Sequence, residues 1–179
     1  LEGLRSGQCD LFITNNAMGY SYSSSMDDIK VAGIPADVTG NYPCCRQNCS
    51  EEAYHKKFLS LVDFEIALIR GYDYYLNNKE DVIKRLVEYS AQPKDYVEAA
   101  MYGTDSYRNV MDLSPDPHTK EVVEYYKAMM SIGEIEQSDY DMADYAVPFV
   151  YKKALDTLLE REPDNATYKK LAEDYPKYN

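Results

Sequence analysis

The apolar residues of this chain change their period at one place, the stretch Asn41-Tyr42-Pro43-Cys44-Cys45-Arg46-Gln47-Asn48-Cys49-Ser50. Before it lie short β-prone runs separated by turn signals. After it, apolar residues recur at helical spacing almost to the end. A chain patterned this way places its extended part first and its helical part second, and few layer architectures accept that order. The same stretch carries three of the four cysteines. Chemically rich loops at such change points are where a rigid scaffold carries function.

The opening residues Leu1 to Gln8 read as the tail of a helix closed by Gly7, with no start of its own, as in a piece excised from a longer chain. The run Cys9-Asp10-Leu11-Phe12-Ile13-Thr14 follows at once and is β-prone. A helix tail, a glycine and an apolar strand make half of an α/β unit, so the fold class expected here is α/β. Asn15 and Asn16 then sit at the carboxyl end of a strand, where open α/β sheets form their ligand crevices. Asparagine is equally a good turn residue, and both readings stay open. Tyr20 to Asp28 reads as a loop or a short helix start. Ile29 to Pro35 reads as a second short strand ended by its proline. The Cys44-Cys45 pair, if extended, points its side chains to opposite faces.

From Ser50 the helical period takes over. Ser50 is an N-cap candidate, with Glu51 and Glu52 in a first turn whose dipole favours negative charge. Phe58, Leu61, Val62, Phe64, Ile66, Leu68 and Ile69 cover so much of the circumference that this helix, running to about Leu76, is expected to be buried on most sides. Further helices are expected over Lys79–Ser90, from Pro93 to Gly103, from Pro117 to Gly133 and over Val147–Arg161, with a short one in the tail. Thr104 to Asp116 and Ser138 to Asp144 read as irregular.

Charge and hydropathy narrow the function classes. The 179 residues carry 31 acidic and 19 basic side chains, a net charge of −12, which argues against a nucleic-acid partner. No run is long and apolar enough to span a bilayer. Tyrosine is abundant, with 19 copies against no tryptophan, and its apolar ring and polar tip suit half-wet clefts as well as ordinary cores.

Read in order, several stretches resemble the solute-binding proteins of ABC importers, in particular the nitrate/sulfonate/taurine and thiamine-precursor type. Leu4-Arg5-Ser6-Gly7-Gln8-Cys9-Asp10-Leu11-Phe12-Ile13 is similar to their repeated helix, Gly, Asp, apolar-strand segment. Tyr42-Pro43-Cys44-Cys45-Arg46 resembles their crossover strand, and Leu76-Asn77-Asn78-Lys79-Glu80-Asp81 their helix break. Leu113-Ser114-Pro115-Asp116-Pro117 and Glu162-Pro163-Asp164-Asn165 resemble later landmarks. The resemblance implies part of a type II periplasmic-binding-protein fold, two α/β lobes closing on a small solute. Residues 1–35 would be a remnant of the second lobe and hinge, and 36–179 the crossover strand and helical part of the first lobe.

It implies no catalysis and no cofactor. The partners it implies are a small polar or anionic solute (nitrate, sulfonate, taurine, bicarbonate or a thiamine precursor) and a membrane permease. The protein would work outside the cytoplasm, in the periplasm or lipid-anchored at the outer face of the membrane. With much of both lobes missing, exposed strand edges are expected to favour oligomers. The ligand-binding residues implied are Asn15 and Asn16, where the family often carries a Trp-Glu-Pro turn, together with Tyr20, Tyr42, Cys44, Cys45 and Arg46. Arg46 would pair bidentately with an anionic group, against the plain reading of a surface arginine. Tyr20 and Tyr22 would form a wall.

The cysteines match no zinc spacing, and no metal site is expected. They read as structural or reduced thiols. A Cys9–Cys49 or Cys45–Cys49 bridge is the alternative if the protein is exported. His55 and His118 are the only histidines, and neither lies in a nucleophile or metal context. The pairs Asp105 with Asp112 and Asp139 with Asp141 read as solvated loop charges rather than as acid–base pairs. Two other classes stand beside solute capture: an enzyme like the thiamine-precursor synthases, and a helical module that recruits a protein partner.

Overall fold

A computed structural model describes residues 1–35, 37, 45–105, 107, 112–136 and 138–179. Among these residues the helices are α1 (Glu2–Arg5), α2 (Asn16–Ser25), α3 (Glu51–Lys56), α4 (Phe58–Asn77), α5 (Lys79–Ser90), α6 (Lys94–Tyr102), α7 (Thr119–Ser131), α8 (Phe149–Arg161) and α9 (Ala166–Tyr178), with a 3₁₀ turn at Met142–Asp144. The expected α/β fold is therefore overturned. The described residues form no sheet, and their one β-bridge, Thr104 with Tyr107, is isolated.

The two β-prone runs explain the correction. Residues 9–14 and 29–34 have the composition of strands but no regular structure. A strand leaves its N–H and C=O groups unpaired until a second strand lies beside it, and such short segments are not stable alone. Without a partner ladder, Leu11 and Ile13 stand 66% and 76% exposed. The expected strand edges are likewise absent among the described residues.

Helix positions follow local chemistry closely. The Ser50 hydroxyl accepts from the Ala53 N–H at 3.2 Å, with Glu51 and Glu52 in the first turn of α3, as the capping pattern requires. Asn165 accepts from the Tyr168 N–H at 3.1 Å and starts α9, which is longer than the expected short tail helix. Gly103 and Gly133, at φ 75° and 82°, follow α6 and α7. Two boundaries differ. The helix expected from Ser50 is interrupted at Lys57, whose ψ of 21° breaks the run between α3 and α4. The helix expected at Pro117 starts at Thr119, after His118 at φ 49°. Tyr20 to Ser25, expected as loop or helix start, is the second half of α2.

The chain divides into two compact units. Unit 1 comprises Leu1–Gly40 and Lys79–Asp112. There α6 packs on α5 and on α2, burying Ile83, Val97 and Ala99. Tyr20 of α2 lies 6.3 Å from the Tyr96 ring and 4.8 Å from that of Tyr107. Lys79 ties the ends of α5 and α6 together, pairing with Glu98 at 2.7 Å over the ring of Tyr102.

Unit 2 comprises Asn41–Asn78 and Leu113–Asn179. Val62, Ile66 and Ile69 of α4 meet Tyr151, Ala154, Leu155 and Leu158 of α8, and Tyr168 and Leu171 of α9 close the cluster. These positions recur at three and four residues, so each helix turns one stripe inward. Burying each Leu or Ile contributes roughly 1.5–3 kcal/mol. α4 is not buried on most sides, however. Leu59 and Phe64 on its other faces are 72% and 54% exposed, because α8 and α9 cover only one stripe.

Candidate functional site

The inward stripe of α4 contains one acid. Glu65 lies three residues after Val62 and four before Ile69, so helical geometry sends its carboxyl into the same interior. It is 5% exposed. Asp116 at 2% and Tyr151 of α8 at 3% share this burial in unit 2, and His118 at 9% comes close to it. One oxygen of each group, Glu65 Oε1, Asp116 Oδ2 and the Tyr151 hydroxyl, has no hydrogen-bond partner among the described residues. Buried polar atoms are nearly always paired, and leaving one unpaired costs about 1–3 kcal/mol.

The remaining oxygens are held by named donors. Gln47 Nε2 donates to Glu65 Oε2 at 3.2 Å. Asp116 Oδ1 accepts from the His118 N–H at 2.9 Å and from Asn179 Nδ2 at 2.8 Å. Asn179 turns its own oxygen to the Thr119 N–H and hydroxyl at 3.2 and 3.1 Å, which caps α7 from the end of α9. The His118 ring stacks on Tyr178 at 3.8 Å, nearly parallel, and its Nδ1 lies 2.9 Å from Glu121 Oε2. That clamp holds His118 in the left-handed conformation, which costs a non-glycine residue about 1–2 kcal/mol.

Burial dominates the electrostatics. It pushes the Glu65 carboxyl up to about 7, with Gln47 pulling the other way and the Asp116 charge adding to the rise. Burial also raises Asp116, opposed by the His118 N–H, Asn179 and the charge of Arg46. The Tyr151 hydroxyl is driven upward by burial first and then by the charges of Asp116 and Glu65. The three groups therefore feel one another as well as the core around them. The cluster offers carboxyl acceptors, the Tyr151 O–H as a donor, and in Glu65 a carboxyl that gains or loses its proton near neutral pH. Among the described residues no three His, Cys, Asp or Glu side chains come together to hold a metal.

The expected ligand residues fall into both units. In unit 1, Asn15 is the N-cap of α2, accepting from the Met18 N–H at 2.9 Å, and Asn16 is the first residue of that helix. Tyr20 is half-buried against Tyr96 and Tyr107. In unit 2, Cys45 is exposed, while Arg46 gives its Nε to the Pro117 carbonyl at 2.8 Å and its Nη1 to the Cys45 carbonyl at 2.9 Å. Tyr42 and Cys44 lie outside the described residues. Cys9 and Cys49 are exposed free thiols. Asp141, one of the loop carboxylates, caps the 3₁₀ turn through the Ala143 N–H at 3.0 Å.

Sequence reasoning passed over Glu65, Asp116 and Tyr151. A signal existed for Glu65, an acid exactly in phase with Val62, Ile66 and Ile69. Asp116 carried none, because its burial depends on Asn179, 63 residues away. No family model, no curated protein and no solved structure matches the chain.

Proposed function

We propose that the chain is the solute-capturing component of an ABC importer, acting outside the cytoplasm, and that Glu65, Asp116 and Tyr151 are the groups that meet a small polar solute. The observation that carries this reading is the set of three buried oxygens in unit 2 that have no partner among the described residues. Such atoms take partners from outside the side chains around them, and a small polar solute supplies them as water does. The order of the sequence landmarks, with the doubled cysteines leading into Arg46 and Gln47, supports the same reading. Since the described residues form no α/β clamp, access to the acids is assigned to the 45–50 segment. Arg46 anchors that segment to Pro117, and Gln47 lays its amide on Glu65. Delivery to a membrane permease follows from this role.

Thermal-shift and calorimetric screening of the purified chain against small polar solutes tests the reading. At least one solute is expected to raise the melting temperature of the wild type and to lose its effect in Asp116→Asn. A panel in which every shift survives that substitution would remove the acids from the site.

One observation favours a second reading, that of a helical interaction module. Phe64 and Leu68, 54% and 36% exposed, stand four residues apart on one outer face of α4, an adjacent apolar pair that a partner would cover. Light scattering of the wild type beside Phe64→Lys separates the two. A self-associating wild type and a monomeric variant, with no solute response in either, would favour the module.

A further inference from the structure

The run Cys9-Asp10-Leu11-Phe12-Ile13-Thr14 is β-prone in composition and has no regular structure. Leu11, Phe12 and Ile13 stand 66%, 49% and 76% exposed, three consecutive apolar side chains in water. The backbone beneath them is as open. Among the described residues, no main-chain hydrogen bond is made by residues 10–14. A β-ladder removes both features at once, since it pairs the N–H and C=O groups and sets the side chains against neighbours. The second β-prone run is blunted by comparison. Ile29 gives its N–H to the Met26 carbonyl at 3.3 Å, and Lys30, Gly33 and Pro35 interrupt that run, as residues that guard strand edges do. Residues 9–14 carry one charge, no proline and no glycine, the composition of segments that pair with their own kind.

Register identifies the partner. With two copies antiparallel and Phe12 opposite Phe12, Leu11 faces Ile13 of the second copy on one side of the ladder. On the other side, Asp10 faces Thr14 of the second copy and flanks the Phe12 pair. A slip of one residue sets Asp10 against Ile13 in one direction and Leu11 against Thr14 in the other. A parallel, in-register pair sets Asp10 against Asp10, a like-charge contact. The Phe12-centred register keeps apolar beside apolar and acid beside hydroxyl. We propose that residues 9–14 are a self-association surface through which two copies of the chain pair antiparallel about Phe12. The ladder is short, so the pair is weak and grows with concentration. The net charge of −12 repels the copies at long range, and salt screens that repulsion.

Sedimentation velocity of the whole chain over a concentration series tests the proposal, in about 0.15 M salt with a thiol reductant so that the exposed Cys9 forms no cross-link. The wild type is expected to pass from monomer to dimer below about 1 mM. Phe12→Lys sets two ammonium groups against each other at the centre of the ladder and is expected to weaken pairing at least roughly tenfold. Thr14→Lys sets a cation opposite Asp10 twice in each pair and is expected to strengthen pairing roughly fivefold. Circular dichroism reports that both variants keep the helices. A wild type that stays monomeric up to about 1 mM would overturn the proposal. So would association that survives Phe12→Lys, or that Phe64→Lys on α4 abolishes. Weakening by Thr14→Lys as large as that by Phe12→Lys would overturn the antiparallel register.

Discussion

Unit 1 and unit 2 are both helical, yet they solve burial differently. Unit 2 closes a nine-residue apolar cluster from three helices and then tolerates two acids and a tyrosine hydroxyl inside the same unit. Unit 1 buries only Ile83, Val97 and Ala99 among its described hydrophobic residues and leaves its described aromatic rings half-buried or exposed. A large core can carry the cost of unpaired polar groups, because each is worth a kilocalorie or two against many buried side chains. A small core cannot, and unit 1 has no buried charged residue among those described.

The same contrast appears at two left-handed residues that are not glycine. Ala91 follows α5 in unit 1 at φ 55° and is exposed. His118 precedes α7 in unit 2 at φ 49°, pinned by Glu121, Tyr178 and its own N–H on Asp116. Strain persists where the surroundings over-determine it.

The largest expected effect concerns the cores. Leu155→Ala should cost about 4 kcal/mol and Ile83→Ala about 2 kcal/mol in urea unfolding, since the site with fewer neighbours collapses more readily. Equal costs would break the contrast between the units.

Next in size is pH. The ordinary value of the Glu65 carboxyl is 4.5 and its folded value about 7, so the folded state holds a proton that the unfolded chain has released. The stabilisation from that bound proton is complete below pH 4.5 and is lost as pH rises to about 7, a change of roughly 3 kcal/mol. Glu65→Gln should remove this slope. The difference between variant and wild-type stability, measured by denaturation at pH 5 and pH 8, should then favour the variant more at pH 8. A difference independent of pH would mean that Glu65 is not buried as described.

The smallest effect sharpens the comparison of the left-handed residues. Ala91→Gly should raise stability by about 1 kcal/mol, because glycine takes positive φ without penalty. His118→Gly should lower it by a similar amount or more, since the relief is outweighed by the lost stack and hydrogen bond. The signs of the two melting shifts decide the matter.

Much of this was legible locally. The helices over Lys79–Ser90 and the 149–161 region, the Ser50 cap and the glycine stops all follow from side chains within a few residues. The strands misled because Leu11, Phe12 and Ile13 have the right composition for a ladder that needs a partner elsewhere. Asn15 and Asn16 were placed at the carboxyl end of a strand, and that position is instead the start of α2, where Asn15 caps the helix. Glu65 was half-legible from its phase. Its role depended on Gln47, which no pattern links to it.

What the sequence determined by itself is where the helices stand and how they end, since an α-helical hydrogen bond closes over four residues and its caps lie beside it. What only the tertiary structure decided is which runs find no ladder, and which acids are shut away from water. Those outcomes depend on groups far apart in the chain, as with Asp116 and Asn179, and dehydration is a property of the packed unit rather than of any local pattern.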